Sequence, residues 1–327
     1  MKALVTGANG FLGSHLTRHL LERGYAVRAL VREGADLATI EGLPLEYAVA
    51  DLADASPLDD AVRGIDVVFH VAAVFRNENL PRRVFWDVNV GGTRRLLEAA
   101  KRGDVRRFVH CSTVGVQGGI RNPPATEDAP YASGDPYQES KRDGEILALD
   151  FFKRENLPGT VVRPTGIYGP GDARFFKLFR FINNGQFRMI GSGNVRYHLT
   201  YVEDMVTGIL LAGEKDTAAG EIFTIGGNEH LTLNELVGKI AAVLSKPLKT
   251  GRIPVWPVWM AGLLCELTCR PMGISPPIYR RRVDFFTKDR AFDISKARRL
   301  LGYEPRITLD EGLRRTVAWY RGHGWLD

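Results

Sequence analysis

One short stretch narrows the folds open to this chain more than any other: the glycine-rich Thr6–Gly13, which reads TGANGFLG. It follows a strand-length apolar run, Lys2–Thr6, and leads into a helix-length segment, Leu12–Arg23. Glycine allows a tight turn and a close approach of phosphate to the backbone, and a helix N-terminus offers free N–H groups. The stretch therefore favours a dinucleotide-binding βαβ unit over an ordinary strand-to-helix turn. The residues expected to hold the dinucleotide here are Gly7, Asn9, Gly10, Phe11, Leu12 and Gly13.

Strand-length and helix-length segments alternate through the first half of the chain. Such alternation predicts an α/β fold, a doubly wound parallel sheet covered by helices on both faces. The further expected strands are Val27–Val31, Glu46–Ala50, Asp66–Val71, Arg107–Ser112 and Thr160–Arg163, and the further helices are Asp87–Lys101 and Pro136–Arg154.

The alternation breaks near Gly169, where prolines and basic residues become scattered. We expect residues 1–168 to form the dinucleotide-binding domain, with residues 200–227 returning to it through a helix and the strand Gly220–Gly227. Residues 169–199 and 228–327 are then expected to form a smaller, substrate-binding lobe.

Composition excludes several classes of protein. With 44% hydrophobic and 25% charged residues, the 327-residue chain is an ordinary globular one. Its net charge of +6 is mild and spread out, which favours small anionic molecules and gives no reason to expect nucleic acid. Three cysteines predict no disulfide framework, no metal site and a reducing, cytoplasmic location. No signal peptide is recognisable, and the apolar segment Ile253–Cys269 is too short to span a bilayer, so a buried or surface-lying helix is expected there.

The end of the second strand bears on the choice of dinucleotide. An NAD site usually has an acidic residue here that binds the ribose 2′-hydroxyl, but this chain has Val31 followed by Arg32. A guanidinium suits a 2′-phosphate, so the pattern favours NADP(H) and leaves NAD(H) possible. After the third strand, Asp51 and Leu52 are candidates to contact the adenine, although Asp51 is equally suited to a turn or a helix cap.

A tyrosine and a lysine stand four residues apart in the segment Tyr137–Lys141, which follows Pro136. Proline at a helix start and the i,i+4 spacing put both side chains on one helix face. A free tyrosine has a pKa of ~10, and a nearby ammonium lowers such a value by stabilising the phenolate. Such a pair can move a proton to or from a carbinol oxygen while a cofactor moves a hydride.

A hydroxyl at the end of the strand Arg107–Ser112 completes the expected site, because ligands of open α/β sheets bind at the carboxyl ends of the strands. Ser112 and Thr113 both qualify from the pattern alone. Because successive side chains of a strand point to opposite faces, only one of the two can face the site.

With these pieces in place, the chain resembles the extended short-chain dehydrogenases/reductases, the epimerase/dehydratase superfamily with a Rossmann domain. The resemblance runs nearly end to end. Besides TGANGFLG it rests on DL at Asp51-Leu52, HVAA at His70–Ala73, the Asn89 segment, CSTVGVQG at Cys111–Gly118, YQESK at Tyr137–Lys141, RPTGIYGPGD at Arg163–Asp172 and YVEDM at Tyr201–Met205.

The resemblance implies roles for particular residues. Thr113 matches the catalytic hydroxyl, Tyr137 the acid/base, and Lys141 the residue that binds the nicotinamide ribose and tunes the tyrosine. Ala72, Ala73 and Asn89 lie in motifs that face the cofactor. The family also commonly forms homodimers, which implies an interface built from the helices at Asp87–Lys101 and Pro136–Arg154.

Two departures bear on the substrate. Nucleotide-sugar enzymes of the family carry an asparagine where this chain has Gly166, and RPGD before the run that begins at Asp293, where this chain has KDRA. The chain looks more like the 3β-hydroxysteroid dehydrogenase and dihydroflavonol reductase branch. Its apolar segment Ile253–Cys269 and the following Pro276-Pro277 also resemble that branch. We therefore expect an NAD(P)-dependent oxidoreductase of a fairly apolar, small-molecule alcohol or ketone, with peripheral membrane contact possible.

Two alternatives stay open at this point. One is a nucleotide-sugar epimerase or dehydratase that keeps NAD tightly bound. The other is a non-catalytic nucleotide-binding scaffold, against which the intact Thr113, Tyr137 and Lys141 argue.

Overall fold

The computed structural model describes residues 1–54, 56–75, 80–249, 251–269 and 280–327. Pro276 and Pro277, on which part of the resemblance rests, lie outside the described residues. The strands are β1 (Lys2–Thr6), β2 (Ala26–Val31), β3 (Glu46–Val49), β4 (Val67–His70), β5 (Arg107–Cys111), β6 (Gly159–Pro164), β7 (Gly166–Tyr168), β8 (Met189–Ile190), β9 (Arg196–Tyr201), β10 (Ile222–Ile225), β11 (His230–Thr232) and β12 (Arg252–Ile253).

The α-helices are α1 (Phe11–Glu22), α2 (Ser56–Val62), α3 (Arg82–Trp86), α4 (Thr93–Arg102), α5 (Pro136–Arg154), α6 (Ala173–Asn183), α7 (Val202–Glu214), α8 (Leu233–Leu244), α9 (Val255–Cys269), α10 (Arg280–Thr287), α11 (Ser295–Leu301) and α12 (Leu309–Gly322).

Seven parallel strands form the main sheet in the order β10-β6-β5-β4-β1-β2-β3. Helices α1, α7 and α11 pack on one face, and α2, α4 and α5 on the other, each layer over its own apolar core. The central strands β1 and β4 are mostly apolar and almost wholly buried because both of their faces are covered. This is the doubly wound α/β fold that the sequence predicts, and that prediction is confirmed.

A smaller lobe is built around a three-stranded sheet, β11-β9-β7, with α6, α8 and α12 packed over a third core. The chain reaches this lobe after β6, passes back through α7 and β10 to the main sheet, and then enters the lobe again. The carboxyl ends of the main strands, the glycine-rich turn and the start of α5 therefore lie on the side where the lobe segments β7 and α6 follow β6.

The segment expected to be one helix at Asp87–Lys101 is longer and irregular. Helix α3 precedes it, and a π-helical turn, Asp87–Gly92, joins α3 to α4. Close packing accounts for this irregularity. A Cβ at Gly92 would lie 2.8 Å from the Cβ of Leu52, and a Cβ at Gly144 on α5 would lie 2.5 Å from the carbonyl oxygen of Asn89. Such turns often occur at functional sites, and this one presents Asn89 to the site.

Candidate active site

The glycine-rich turn between β1 and α1 forms a cradle without side chains. Gly7 has φ +68°, and a Cβ there would lie 2.9 Å from the Cα of Ala72. A Cβ at Gly13 would lie 1.9 Å from the carbonyl oxygen of Gly7, so no other residue fits that position. Gly10 precedes the first turn of α1, and no side chain caps that turn. The cradle with its uncapped N–H groups fits the diphosphate of a dinucleotide.

Asn9 ties this turn to the loop that follows β2. Its side-chain amide donates a hydrogen bond to the carbonyl oxygen of Asp36 at 2.9 Å, and the Thr39 hydroxyl donates to the Asn9 carbonyl oxygen at 2.9 Å. Arg32, directly after β2, is exposed, and within the described residues its side chain has no hydrogen bond or ion pair. A free guanidinium thus stands beside the loop where the ribose of a bound dinucleotide would lie in this fold.

Asp51 and Leu52, which follow β3, have different roles. The Asp51 carboxylate accepts a hydrogen bond from the backbone N–H of Ala53 at 2.9 Å, so Asp51 forms a local turn while it stays exposed. Leu52 is buried against Gly92. Asp51 is therefore a turn residue, which is one of the roles that the sequence left open for it. Its second carboxylate oxygen remains available to a ligand.

A chain of buried hydrogen bonds runs under the cofactor cleft. The His70 ring bonds to the hydroxyls of Thr6 at 2.8 Å and Thr93 at 2.9 Å, and Thr93 donates to the carbonyl oxygen of Asn89. Burial lowers the pKa of His70 to about 3, with the Lys141 charge adding to the effect. A neutral His70 therefore serves as a fixed connector between β1, β4 and α4.

Asn89 and Thr6 hold the segment after β4. Asn89 accepts from the backbone N–H of Val74 at 2.8 Å and donates both to its carbonyl oxygen and to the Ser140 hydroxyl on α5. The Thr6 hydroxyl accepts from the backbone N–H of Ala72 at 3.1 Å. Ala72 lies against Gly7, and Ala73 next to it is exposed. Asn89 is thus a positioning residue that links this wall of the cleft to α5.

Helix α5 begins where the sequence predicts. Asp135 caps it by accepting from the backbone N–H of Gln138 at 2.9 Å, and Pro136 occupies its first turn. Tyr137 and Lys141 are both buried. The Lys141 ammonium donates to the carbonyl oxygen of Cys111, the last residue of β5, at 2.7 Å. Burial lowers the pKa of Lys141, and the nearby Glu145 carboxylate opposes that shift.

The structure separates the two candidate hydroxyls. Ser112 is buried, and its hydroxyl donates to the Glu145 carboxylate at 2.5 Å. Glu145 also forms a buried ion pair with Arg163 at 2.5 Å, so Ser112 belongs to a structural network between β5, β6 and α5. Thr113 is partly exposed, and its hydroxyl oxygen accepts from the backbone N–H of Gly115 at 3.0 Å. That bond uses a lone pair and leaves the hydroxyl proton available to a substrate oxygen.

Sequence reasoning missed two side chains at the mouth of the cleft. The Phe75 ring packs edge-to-face on Tyr137 with ring centroids 4.9 Å apart. The Arg174 guanidinium lies 5.4 Å from the Phe75 ring centre and 5.7 Å from that of Phe11, held by the Asp172 carboxylate. Phe11, Arg174 and Phe75 thus form a row of contacts from the phosphate cradle to Tyr137, the candidate acid/base. Phe75 stands outside any motif, whereas Arg174 follows the GPGD turn closely enough for that turn to have pointed to it.

The smaller lobe departs from the nucleotide-sugar pattern at Gly166 in β7, next to Leu199 of the lobe's apolar core. A Cβ at this position would lie 2.6 Å from the Leu199 side chain and 3.3 Å from the carbonyl oxygen of His198. Leu199 thus fills the space that an asparagine side chain would need. Among the described residues we find no cluster of metal-binding side chains and no helix long and apolar enough to cross a membrane.

Comparison with known proteins identifies the family and several relatives of this chain. A family model described as "NAD dependent epimerase/dehydratase family" matches residues 3–226. The chain is 31% identical to a 3-beta-hydroxysteroid dehydrogenase of Mycolicibacterium neoaurum, with 98% of this chain and 91% of that protein covered. It is 32% identical to sterol demethylase protein B of Methylococcus capsulatus, with both fully covered. Among solved structures it is similar to DesIV, the dTDP-glucose 4,6-dehydratase of Streptomyces venezuelae with NAD bound, with TM-score 0.78, 29% identity, and 100% of this chain and 99% of that chain covered.

Proposed function

This chain belongs to the NAD-dependent epimerase/dehydratase family, and from that premise we propose that it is an NADP-preferring oxidoreductase that interconverts a secondary alcohol and a ketone on a fairly apolar, hydroxysteroid-like substrate. That it is an NAD(P)-dependent enzyme of the short-chain dehydrogenase/reductase type follows from the family and from its relatives. The substrate class and the cofactor preference are the parts that we propose.

The cofactor is held, in this proposal, by the cradle of Gly7, Gly10 and Gly13 at its diphosphate and by Arg32 at a 2′-phosphate. When bound there, the cofactor would supply the nicotinamide that accepts a hydride from the carbinol carbon or returns one to it. Lys141 is buried next to the same cleft and supplies a fixed positive charge.

In the oxidative direction the Tyr137 phenolate takes the proton of the substrate hydroxyl, and the bond between carbon and oxygen becomes a carbonyl. In the reductive direction the Tyr137 phenol returns that proton to the oxygen. The Thr113 hydroxyl donates a hydrogen bond to the same oxygen and orients it. The Lys141 ammonium favours the phenolate form of the tyrosine.

The observation that carries the substrate class is the contact between Gly166 and Leu199. A diphosphate sugar needs hydrogen-bonding and charged partners, since an unpaired buried polar group is costly. Here an apolar side chain occupies the place where such a partner would begin, and the Phe75 ring borders Tyr137. Both features favour an apolar ring system over a hexose.

The test is a binding and turnover screen on the cofactor-loaded enzyme. We expect 3β-hydroxysteroids or similar alcohols to reduce added NADP, and the Tyr137→Phe variant to bind these ligands with turnover about 10²- to 10⁴-fold lower. UDP-, GDP- and dTDP-sugars serve as the opposing panel. Micromolar binding of a nucleotide sugar, with no binding of the apolar alcohols, would refute the proposal.

A nucleotide-sugar epimerase or dehydratase is the second candidate, favoured by the end-to-end similarity to DesIV. Such an enzyme would be purified with NAD bound and would not release it during turnover. Arg196, which is exposed, and Arg290, which donates to the Tyr197 hydroxyl at 2.7 Å, are the first residues to replace if a nucleotide sugar binds.

We further propose a homodimer formed through α4 and α5. A surface groove of about 430 Å³ lies along these helices. Apolar side chains line it together with charged ones: Val90, Ile146, Leu147 and Phe151, with Arg94, Asp143, Asp150 and Arg154. A self-complementary contact of this kind would bury the exposed Ile146.

A further inference from the structure

Helix α9 presents an apolar face to solvent. Trp256, Leu264 and Leu267 are 71%, 58% and 62% exposed, and Met260 between them is exposed as well. Their spacing places all four on one side of the helix. Trp259 borders this side and is also exposed. We call these five side chains the apolar face of α9.

The polarity of α9 is inverted relative to a surface helix. Its single charged residue, Glu266, is buried where α9 packs against α10, on the flank that also carries Trp259, and it pairs with Arg280 of α10 at 2.9 Å. A helix that meets water normally turns its charge outward and its apolar residues inward. The arrangement in α9 therefore fits a helix whose outer face meets an apolar medium.

The length of α9 decides how it would meet that medium. Its 15 residues extend about 22 Å at 1.5 Å per residue, against a hydrocarbon core of about 30 Å. A crossing helix is thus excluded for α9 on length alone. Lying in the plane of an interface buries the apolar face and keeps the rest of the protein in water.

Basic residues lie on the two segments that adjoin α9. Lys246, Lys249 and Arg252 are exposed on the segment that leads into α9, and Arg282 is exposed on α10, which packs against α9. Within the described residues of that leading segment, from 245 to 254 without 250, there is no acidic side chain. Exposed tryptophans together with a basic border match the headgroup region of an anionic bilayer.

We propose that the apolar face of α9 docks the protein on the surface of an anionic lipid bilayer. Helix α10 joins this docking face to the active site. Its Arg281 forms an ion pair with Asp135 at 3.2 Å, and Asp135 caps α5 two residues before Tyr137. Docking therefore places the entrance of the site next to the phase in which an apolar substrate concentrates.

The test is a sedimentation assay of the full chain with vesicles of phosphatidylcholine containing 30% phosphatidylglycerol. We expect the protein to bind these vesicles, with a blue shift of tryptophan emission. The double variant Trp256→Ser/Leu267→Ser should lose at least about tenfold in partitioning, since each side chain loses most of its burial. Lys249→Gln should lose roughly fivefold on anionic vesicles and nothing on neutral ones.

Tyr47→Ser is the matched control, because Tyr47 is an exposed aromatic residue on the edge strand β3, far from α9 in the main sheet. It should bind vesicles as the parent does. Thermal unfolding and dinucleotide binding establish that each variant is folded. The proposal is overturned if the parent does not bind vesicles, or if the double variant binds them as well as the parent does. It is overturned likewise if the double variant loses dimer mass and the parent binds no vesicles. Because this readout needs no turnover, it is independent of the proposed reaction.

Discussion

At the scale of single residues, the chemistry depends on Tyr137 being held in place while its neighbours are fixed. Lys141 is anchored to the end of β5, Asn89 links α5 to the segment after β4, and Phe75 packs on the tyrosine ring. These contacts lock the surroundings of the phenol before any ligand binds. Such preorganisation limits the rearrangement that a proton transfer requires.

We expect Tyr137→Phe to lose about 10²- to 10⁴-fold in turnover, because the phenol is the proposed acid/base. Dinucleotide binding should survive, since the phosphate cradle is untouched. Steady-state kinetics and a fluorescence titration of NADPH measure the two effects. Tyr131→Phe is the control: it removes another phenol, one bonded to Glu145. Turnover close to that of the parent in the Tyr137 variant would remove this residue from the mechanism.

We expect Arg32→Ala to weaken NADP binding much more than NAD binding, because only NADP carries a phosphate for the guanidinium to meet. Isothermal titration of both cofactors against parent and variant measures the difference. Arg23→Ala removes an exposed arginine at the far end of α1 and should change neither affinity. Equal losses for the two cofactors, or tighter NAD binding by the parent, would contradict the assignment of Arg32.

At the scale of secondary-structure elements, β4 and β5 place two buried histidines side by side, His70 and His110, with ring centroids 5.4 Å apart. His70 has two hydroxyl partners, whereas within the described residues neither ring nitrogen of His110 has one. Burial lowers the pKa of His70 to about 3 and that of His110 well below its usual value, and it also lowers the pKa of His198 in β9 to about 4.

These shifts predict a loss of stability in acid. Because the folded pKa lies below the unfolded value of 6.5, stability is fully present above pH 6.5 and falls as pH decreases toward 3. At pH 5.5 we expect about 1 kcal/mol lost for each such histidine. Calorimetry of the parent between pH 7.5 and 5.5 measures this slope.

Replacing His70 and His110 one at a time should separate the roles of the two histidines. His70→Leu removes one hydrogen bond from each of the buried hydroxyls of Thr6 and Thr93 and should cost roughly 1–3 kcal/mol at pH 7.5, while His110→Leu should cost little because no partner is lost. Both variants should flatten the acid slope. An unchanged slope in both would mean that other groups control the acid response.

The proposed homodimer also depends on secondary-structure elements, namely α4 and α5. Ile146→Lys places a charge on the exposed side of α5 and should convert a particle of twice 36.3 kDa into one of 36.3 kDa at micromolar concentration. Phe181→Lys on α6 is the matched control, since both side chains are 46% exposed in the chain alone. Light scattering gives the masses. A parent that is already monomeric would contradict the proposed interface.

The sequence best predicts the elements whose ends are marked by local residue patterns. The bounds of β1 and α5 coincide with the expected Lys2–Thr6 and Pro136–Arg154, because a glycine turn, a proline and an acidic cap mark their ends. The π-helical turn at Asp87–Gly92 depends on packing against Leu52 and α5, which no local pattern encodes. For the same reason spacing alone left Ser112 and Thr113 equivalent, and only the buried Glu145 distinguishes them.

At the scale of the whole molecule, the main sheet is completed from a distant part of the sequence. Strand β10 pairs with β6, and α7 covers the same region of the sheet with residues of the first apolar core, among them Met205 and Ile209. The first domain expected from the sequence therefore depends on its returning residues 200–227, because residues 1–168 alone contain neither the edge strand nor this cover.

We expect a fragment of residues 1–168 to be aggregated or unfolded, because its β6 edge and the apolar surface under α7 would be exposed. Circular dichroism, thermal unfolding and dinucleotide binding of the fragment measure this. The matched fragment 1–227 restores α7 and β10 and should recover soluble protein. Cooperative unfolding and NADPH binding by the shorter fragment would show that β10 and α7 are dispensable.

The late arrival of β10 also matters while the protein is being made. Roughly 60 residues of chain separate the end of β6 from the end of β10, which a ribosome adds in about 3–12 s at ~5–20 residues per second. During that interval the nascent chain presents an unfinished sheet edge to every other polypeptide nearby. Protection of this segment by a chaperone at the ribosome would therefore govern how much enzyme a cell obtains, independently of how stable the finished molecule is.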